Sequence, residues 1–183
     1  MKRILFLLVA GIFACNTISA QAIETGDQAV NLGLGIGGTL THGDASPGIN
    51  LSYEMLPFDQ LGIGYIGVGG YVSYIYSNDQ IGPARYEYNY YVFGARGTYH
   101  FDFWHLTHDK IFNQLDLYAG VFAGFVYDNE DWNNNQANTE DYILTFRNDF
   151  FAGARFNFSS NFGVFSEIGY GLNTFTFGVD FLF

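Results

Sequence analysis

Four sets of residues in this 183-residue chain carry side chains able to do chemistry. His42-Gly43-Asp44-Ala45-Ser46 offers a base, an acid and a hydroxyl, the ingredients of acyl transfer or hydrolysis by an activated nucleophile. Crowding them into one short stretch does not set nucleophile against base, so an ordinary polar turn is expected there. His105-Leu106-Thr107-His108-Asp109 would give a metal two imidazoles and a carboxylate, but no second ligand cluster completes the shell. The stretch 128–141 holds five acids, five Asn and Trp132; it has the oxygen donors of a weak Ca²⁺ site and otherwise reads as a solvated loop. The fourth set is dispersed along the chain: Glu54, Arg96, Asp116, Arg147, Asp149, Arg155, Glu167 and Asp180. No catalytic, cofactor or metal site is expected from any of them, and the dispersed charges are expected to pair with one another.

The segments that position those charges have period two, the repeat of a strand with unlike faces. Eight such segments follow one another: 28–40, 49–56, 61–76, 86–101, 115–127, 142–158, 162–171 and 174–183. In 115–127, Leu117, Ala119, Val121, Ala123 and Phe125 alternate with Asp116, Tyr118, Gly120 and Phe122. In 142–158, Leu144, Phe146, Phe150, Ala152, Ala154 and Phe156 oppose Arg147, Asp149, Arg155 and Asn157. The third segment is apolar or aromatic on both sides, and its faces stay unassigned. Tight turns at 57–60 and 159–161 and longer polar loops at 77–85 and 128–141 suggest an alternation of short and long connections. The long 102–114 connection and the tight 172–173 link break it.

The dispersed charges all lie opposite the apolar faces. A charge facing lipid at mid-depth costs about 2–4 kcal/mol, so a hydrocarbon exterior would enforce that separation. Composition agrees, with aromatics at 20% and charged residues at 14%, against roughly 25% charged in soluble domains. Aromatics also gather near segment ends, at Tyr74, Tyr76, Tyr86, Tyr88, Tyr99, Phe101, Phe103, Trp104 and Tyr127, as interfacial girdles would require. The opposite faces carry Gly, Ser, Thr and Asn and predict a small polar lumen. An open sheet edge would strand backbone groups in hydrocarbon, so the expected fold is all-β, a closed antiparallel eight-stranded transmembrane β-barrel. A lipocalin-like cup or sandwich is the soluble alternative; it would expose the Gly-rich faces and very few surface cations.

Residues 1–20 are expected to be a signal peptide: Lys2 and Arg3, an apolar run over 4–14, then small residues with cleavage after Ala20 or Ala22. The run is too short to span a bilayer as a helix. Acylation of Cys15 is the rival, and Phe13 suits it poorly. Residues 21–183 then form the barrel, without a thiol. Loss of Lys2 and Arg3 takes the net charge from -11 to -13, which leaves nucleic-acid phosphates no attraction.

The chain ends Thr176-Phe177-Gly178-Val179-Asp180-Phe181-Leu182-Phe183. Thr176, Gly178, Phe181 and Phe183 resemble the β-signal read by the barrel-assembly machinery. Residues 94–101, 117–120 and 162–171 resemble the glycine–aromatic strands of "porin family" proteins. As a whole, residues 21–183 are similar to the small outer-membrane β-barrels of Gram-negative bacteria, with an OmpA- or OmpX-like eight-stranded domain. No peptidoglycan-binding domain is expected after the barrel. The resemblance implies an exported, monomeric protein in the cell outer membrane, contacting outer-membrane lipid and, during biogenesis, the assembly machinery and periplasmic chaperones. It implies no enzyme and no cofactor, and a structural or surface-interaction role through loops near 41–47, 77–85 and 128–141. The alternatives are a narrow-pore porin and a lipid A-modifying enzyme using His42.

Overall fold

The computed structural model describes residues 23–38, 47–81, 84–107, 110–132 and 140–183. The leader with Cys15, the His42–Ser46 stretch, residues 133–139, and His108 and Asp109 therefore lie outside the described residues. Eight antiparallel strands close in sequence order: β1 (Gln28–Ile36), β2 (Pro47–Met55), β3 (Gly64–Ile81), β4 (Ala84–Phe101), β5 (Leu115–Trp132), β6 (Glu140–Ser159), β7 (Phe162–Gly169) and β8 (Phe175–Leu182). The last strand returns to the first through a ladder from Ala29↔Leu182 to Ile36↔Phe175. Phe183 completes the closure: its N–H donates to the Gln28 carbonyl at 2.9 Å, and its own carbonyl accepts the Gln28 N–H at 3.2 Å.

Along β1 the two faces part sharply. Leu32 and Leu34 are 48% and 50% exposed on the outside, whereas Asn31, next to Leu32 in the same strand, is 2% exposed inside. The same alternation settles β3, whose faces the sequence leaves open: Tyr65, Tyr71, Ser73, Ile75 and Ser77 point inward, and Val68, Val72 and Tyr74 outward. At the loop side of the exterior, Tyr74, Tyr91 and Tyr127 form a row across β3, β4 and β5, with ring centroids 5.3 and 6.2 Å apart. Near the termini, Phe158, Phe162 and Phe181 form another, at 6.3 and 5.5 Å. Tyr88 departs from the girdle expectation. It has the inward parity of β4 and stacks on Tyr90, 6.3 Å between centroids.

The wall is uneven. Strands β3 to β6 have 18–20 residues and the other four 8–9. Much of what polarity marks as loop at 77–85 and 128–141 is strand, paired from Ser77↔Tyr88 to Ile81↔Ala84 and from Asp128↔Ile143 to Asp131↔Glu140. A two-stranded ladder satisfies its backbone whatever its side chains, so the polar residues mark where the strands leave lipid, not where they end. The long 102–114 connection contains a five-residue helix, α1 (Phe103–Thr107), and a 3₁₀ turn at Lys110–Asn113.

Large rings inside so narrow a barrel need glycine nearby. Gly94 and Gly124 face each other across β4–β5, and a Cβ on either would meet the Phe122 ring at 2.7 or 2.6 Å. Gly33 and Gly178, opposite one another across β1–β8, leave the same kind of room for Phe165.

Candidate functional site

The chemistry-bearing groups that the structure brings together lie inside the barrel, in layers. Toward the chain termini, Arg155 of β6 is fully buried and reaches three acids on three other strands. Its Nη1 donates to Asp116 Oδ2 at 3.1 Å; Nη2 lies 3.5 Å from Glu54 Oε2, and Nε 3.3 Å from Asp180 Oδ2. Alternation alone turns all four inward, because β2, β5, β6 and β8 each present these positions on the polar parity. His100 of β4 sits between two of the same acids: Nδ1 is 2.9 Å from Asp116 Oδ2 and Nε2 is 3.2 Å from Glu54 Oε1. Carboxylate oxygens only accept, so both ring nitrogens are satisfied together when each carries a hydrogen. Thr98 hydrogen-bonds Glu54 and lies 3.1 Å from His100 Nε2.

One step toward the loops, Arg96 Nη2 donates to Glu167 Oε1 at 2.6 Å, and its guanidinium lies 4.1 Å from the Phe151 ring centroid. Tyr118 joins the layers: its hydroxyl donates to Glu167 at 2.9 Å while its ring lies beneath the Arg155 guanidinium. Asp149 takes no part in the ion pairs. Its carboxylate accepts the backbone N–H groups of Tyr170, Gly171 and Leu172, the turn between β7 and β8. Seven of the eight dispersed charges are thus inside, six of them ion-paired.

Arg147 is the exception and corrects the expected network. It has the inward parity of β6, but β7 ends opposite Phe151 at Gly169, so no wall stands across from Arg147 and its side chain is exposed. The polar-lumen expectation also needs correction. The loop-side interior is an apolar cluster of Tyr71, Ile75, Tyr90, Val92, Phe122 and Val126, joined by Leu172 from the β7–β8 turn. A smaller cluster of Ile23, Ala29, Leu56, Tyr65 and Leu182 closes the termini side. Beside it, burial pushes the Asp27 carboxyl above its usual range, although Asp27 accepts the Glu24 N–H at 2.8 Å.

Asp116, His100 and Thr98 make an acid–imidazole–hydroxyl series, the order of a nucleophilic relay. All three side chains are buried, and the series ties β4 to β5 and fixes their register. Sequence reasoning missed His100 as a member of the network. Its inward parity beside Arg96 and Thr98 was the signal, but its partners lie 16 and 46 residues away. Among the described residues no group of three or more His, Cys, Asp or Glu could hold a metal ion. His105 belongs to α1.

At the chain end, Thr176 is buried inside β8. Gly178 faces the β1 backbone, with 2.7 Å between its would-be Cβ and Gly33 Cα. Phe181 and Phe183 are exposed on the outside.

A closed eight-stranded barrel with an apolar exterior and internally paired charges is the fold of the small outer-membrane β-barrels. Among solved structures, the chain is similar to Ail, the attachment invasion locus protein of Yersinia pestis. The TM-score is 0.53 at 14% identity, covering 87% of this chain and 99% of that one. Ail has also been solved in complex with the heparin analogue sucrose octasulfate, with a TM-score of 0.53 at 15% identity and the same coverage. Neisserial surface protein A matches with a TM-score of 0.51 at 12% identity, over 85% of this chain and 92% of that one. No protein-family model matches the chain, and no curated protein does.

Proposed function

We propose that this chain is an integral outer-membrane barrel without catalytic activity, acting as a surface-interaction protein through the tall β3–β4 and β5–β6 hairpins. One observation carries the reading: the exterior is a continuous belt of exposed apolar side chains, among them Leu34, Leu51, Val72, Phe93, Val121 and Phe177, bounded by aromatic rows. A patch of that kind on a water-soluble monomer would be an aggregation site; in a bilayer it is the solvated surface. The name of Ail, an attachment protein, and the word "surface" in that of the Neisserial protein favour a role in contact with other molecules.

The partner class differs from that of the Ail complex. With 7 Lys and Arg against 18 Asp and Glu, this chain repels a polysulfate, so a neutral or cationic partner is expected. A freely conducting pore has less support, because Arg155, Ile75 and Leu56 fill the bore.

The test is migration of the protein from an isolated outer-membrane fraction. A band whose mobility shifts on boiling is expected, and a mature chain that is monomeric in water without detergent overturns the reading. Within that assay, Leu51→Arg should cost about 2–4 kcal/mol of stability in lipid, and unchanged urea resistance would count against a lipid-facing belt.

A further inference from the structure

We propose that the mature chain begins at Ile23, and that the ammonium group freed there pairs with Asp27 to pin residues 23–27 as a stopper in the termini-side mouth of the barrel. Processing after Ala22 then creates a structural cation as well as removing a leader. The inference rests on the expected signal peptide and goes beyond the surface role.

Residues 23–27 precede β1 in the chain but belong to the interior. Ile23 is 3% exposed and packs in the cluster of Ala29, Leu56, Tyr65 and Leu182 that closes this end. The backbone behind it is tied down. Gly26 N–H donates to the Leu56 carbonyl at 2.8 Å, and Leu56 N–H to that of Asp27 at 3.0 Å. The Thr25 hydroxyl donates to the Phe58 carbonyl at 3.0 Å.

The stopper carries acids and no base. Asp27 Oδ2 accepts the Glu24 N–H at 2.8 Å, and Glu24, Asp27 and Asp102 all bear on Tyr65 electrostatically. Among the described residues neither Glu24 nor Asp27 has an ion pair. Burial pushes the Asp27 carboxyl above its usual range, the response of an acid that lacks a counter-charge.

Covalent geometry supplies the missing cation. The Ile23 nitrogen lies one residue back from the Glu24 nitrogen, hence at most about 6.5 Å from Asp27 Oδ2. In the unprocessed chain that nitrogen is an uncharged amide. Cleavage after Ala20 would leave the charge about 7 Å further along an extended chain, out of reach. Sequence favours the same bond. Ala20-Gln21-Ala22 puts small residues at both recognised positions, whereas cleavage after Ala20 puts Ile18 at one of them.

The first test is the intact mass of the protein isolated from cells that export it. A chain of residues 23–183 is expected; one that starts at Gln21, or is acylated at Cys15, overturns the proposal. The second test isolates the charge. Lys110 is the only lysine beyond residue 2, so in processed Lys110→Arg the α-amine is the sole primary amine. That protein is unfolded in urea, its amine acetylated (charge lost) or dimethylated (charge kept), and each form refolded. Acetylation should lower the thermal midpoint by about 2–4 °C against dimethylation, the shift a partly buried ion pair makes in a chain of this size. Adding Asp27→Asn should remove the difference. Equal midpoints with Asp27 present, or an undiminished difference without it, overturn the pairing. Both tests read alike in detergent or in water, so they stand apart from the membrane reading. Sheet circular dichroism confirms that each form has refolded.

Discussion

The two ends of the barrel interior are filled by opposite chemistry. Toward the termini, Arg155 and His100 are locked among Glu54, Asp116 and Asp180, on five strands. Toward the loops, Ile75, Val92, Phe122 and Val126 pack against Leu172, with neutral polar atoms left over. An apolar filling tolerates loss of one member as a cavity. A buried ionic filling does not, because the acids that remain lose counter-charge without gaining water. The charged layer is thus the part that fixes register, and the apolar layer the part that tolerates truncation.

Three substitutions probe that contrast. Arg155→Met should be the most damaging, costing about 3–5 kcal/mol, since it leaves Glu54 and Asp116 to share His100 and takes from Asp180 the cation beside it in a sealed layer. Urea unfolding of the refolded protein, followed by the boiling-sensitive gel shift, measures it; a loss below that of the next variant would erase the distinction. Ile75→Ala should cost about 2–4 kcal/mol on the same assay, as the cavity it leaves partly collapses. If Ile75→Ala proved the worse of the two, the apolar layer and not the ionic one would be the keystone. Arg147→Ala should fall within about 0.5 kcal/mol of the unaltered protein, because its side chain is exposed. A larger loss would return Arg147 to the network from which the short β7 wall excludes it.

Much of this was legible along the chain. Period-two alternation marks strands and sorts residues by face, so Asp116, Arg155, Glu167 and Asp180 could be sent to one side together. The resolution of that method ends at the face. It does not say that Asp149 meets backbone rather than a cation, since its partners lie 21 to 23 residues on, in a turn whose inward fold no local pattern announces. It misjudged Tyr88 by composition, because an aromatic near a strand end suits an interface and a core equally well.

The sequence by itself determined the number of strands, the two faces of every strand but β3, and the exclusion of charge from the outer one. These are local consequences of side-chain alternation and of the cost of a charge in hydrocarbon. Only the tertiary structure decided the pairings of Arg155, His100 and Arg96, the exposure of Arg147, and the division of the bore into ionic and apolar layers. Those depend on register and on unequal strand heights, which place residues more than a hundred positions apart, such as Asn31 and Arg155, within one hydrogen bond of each other.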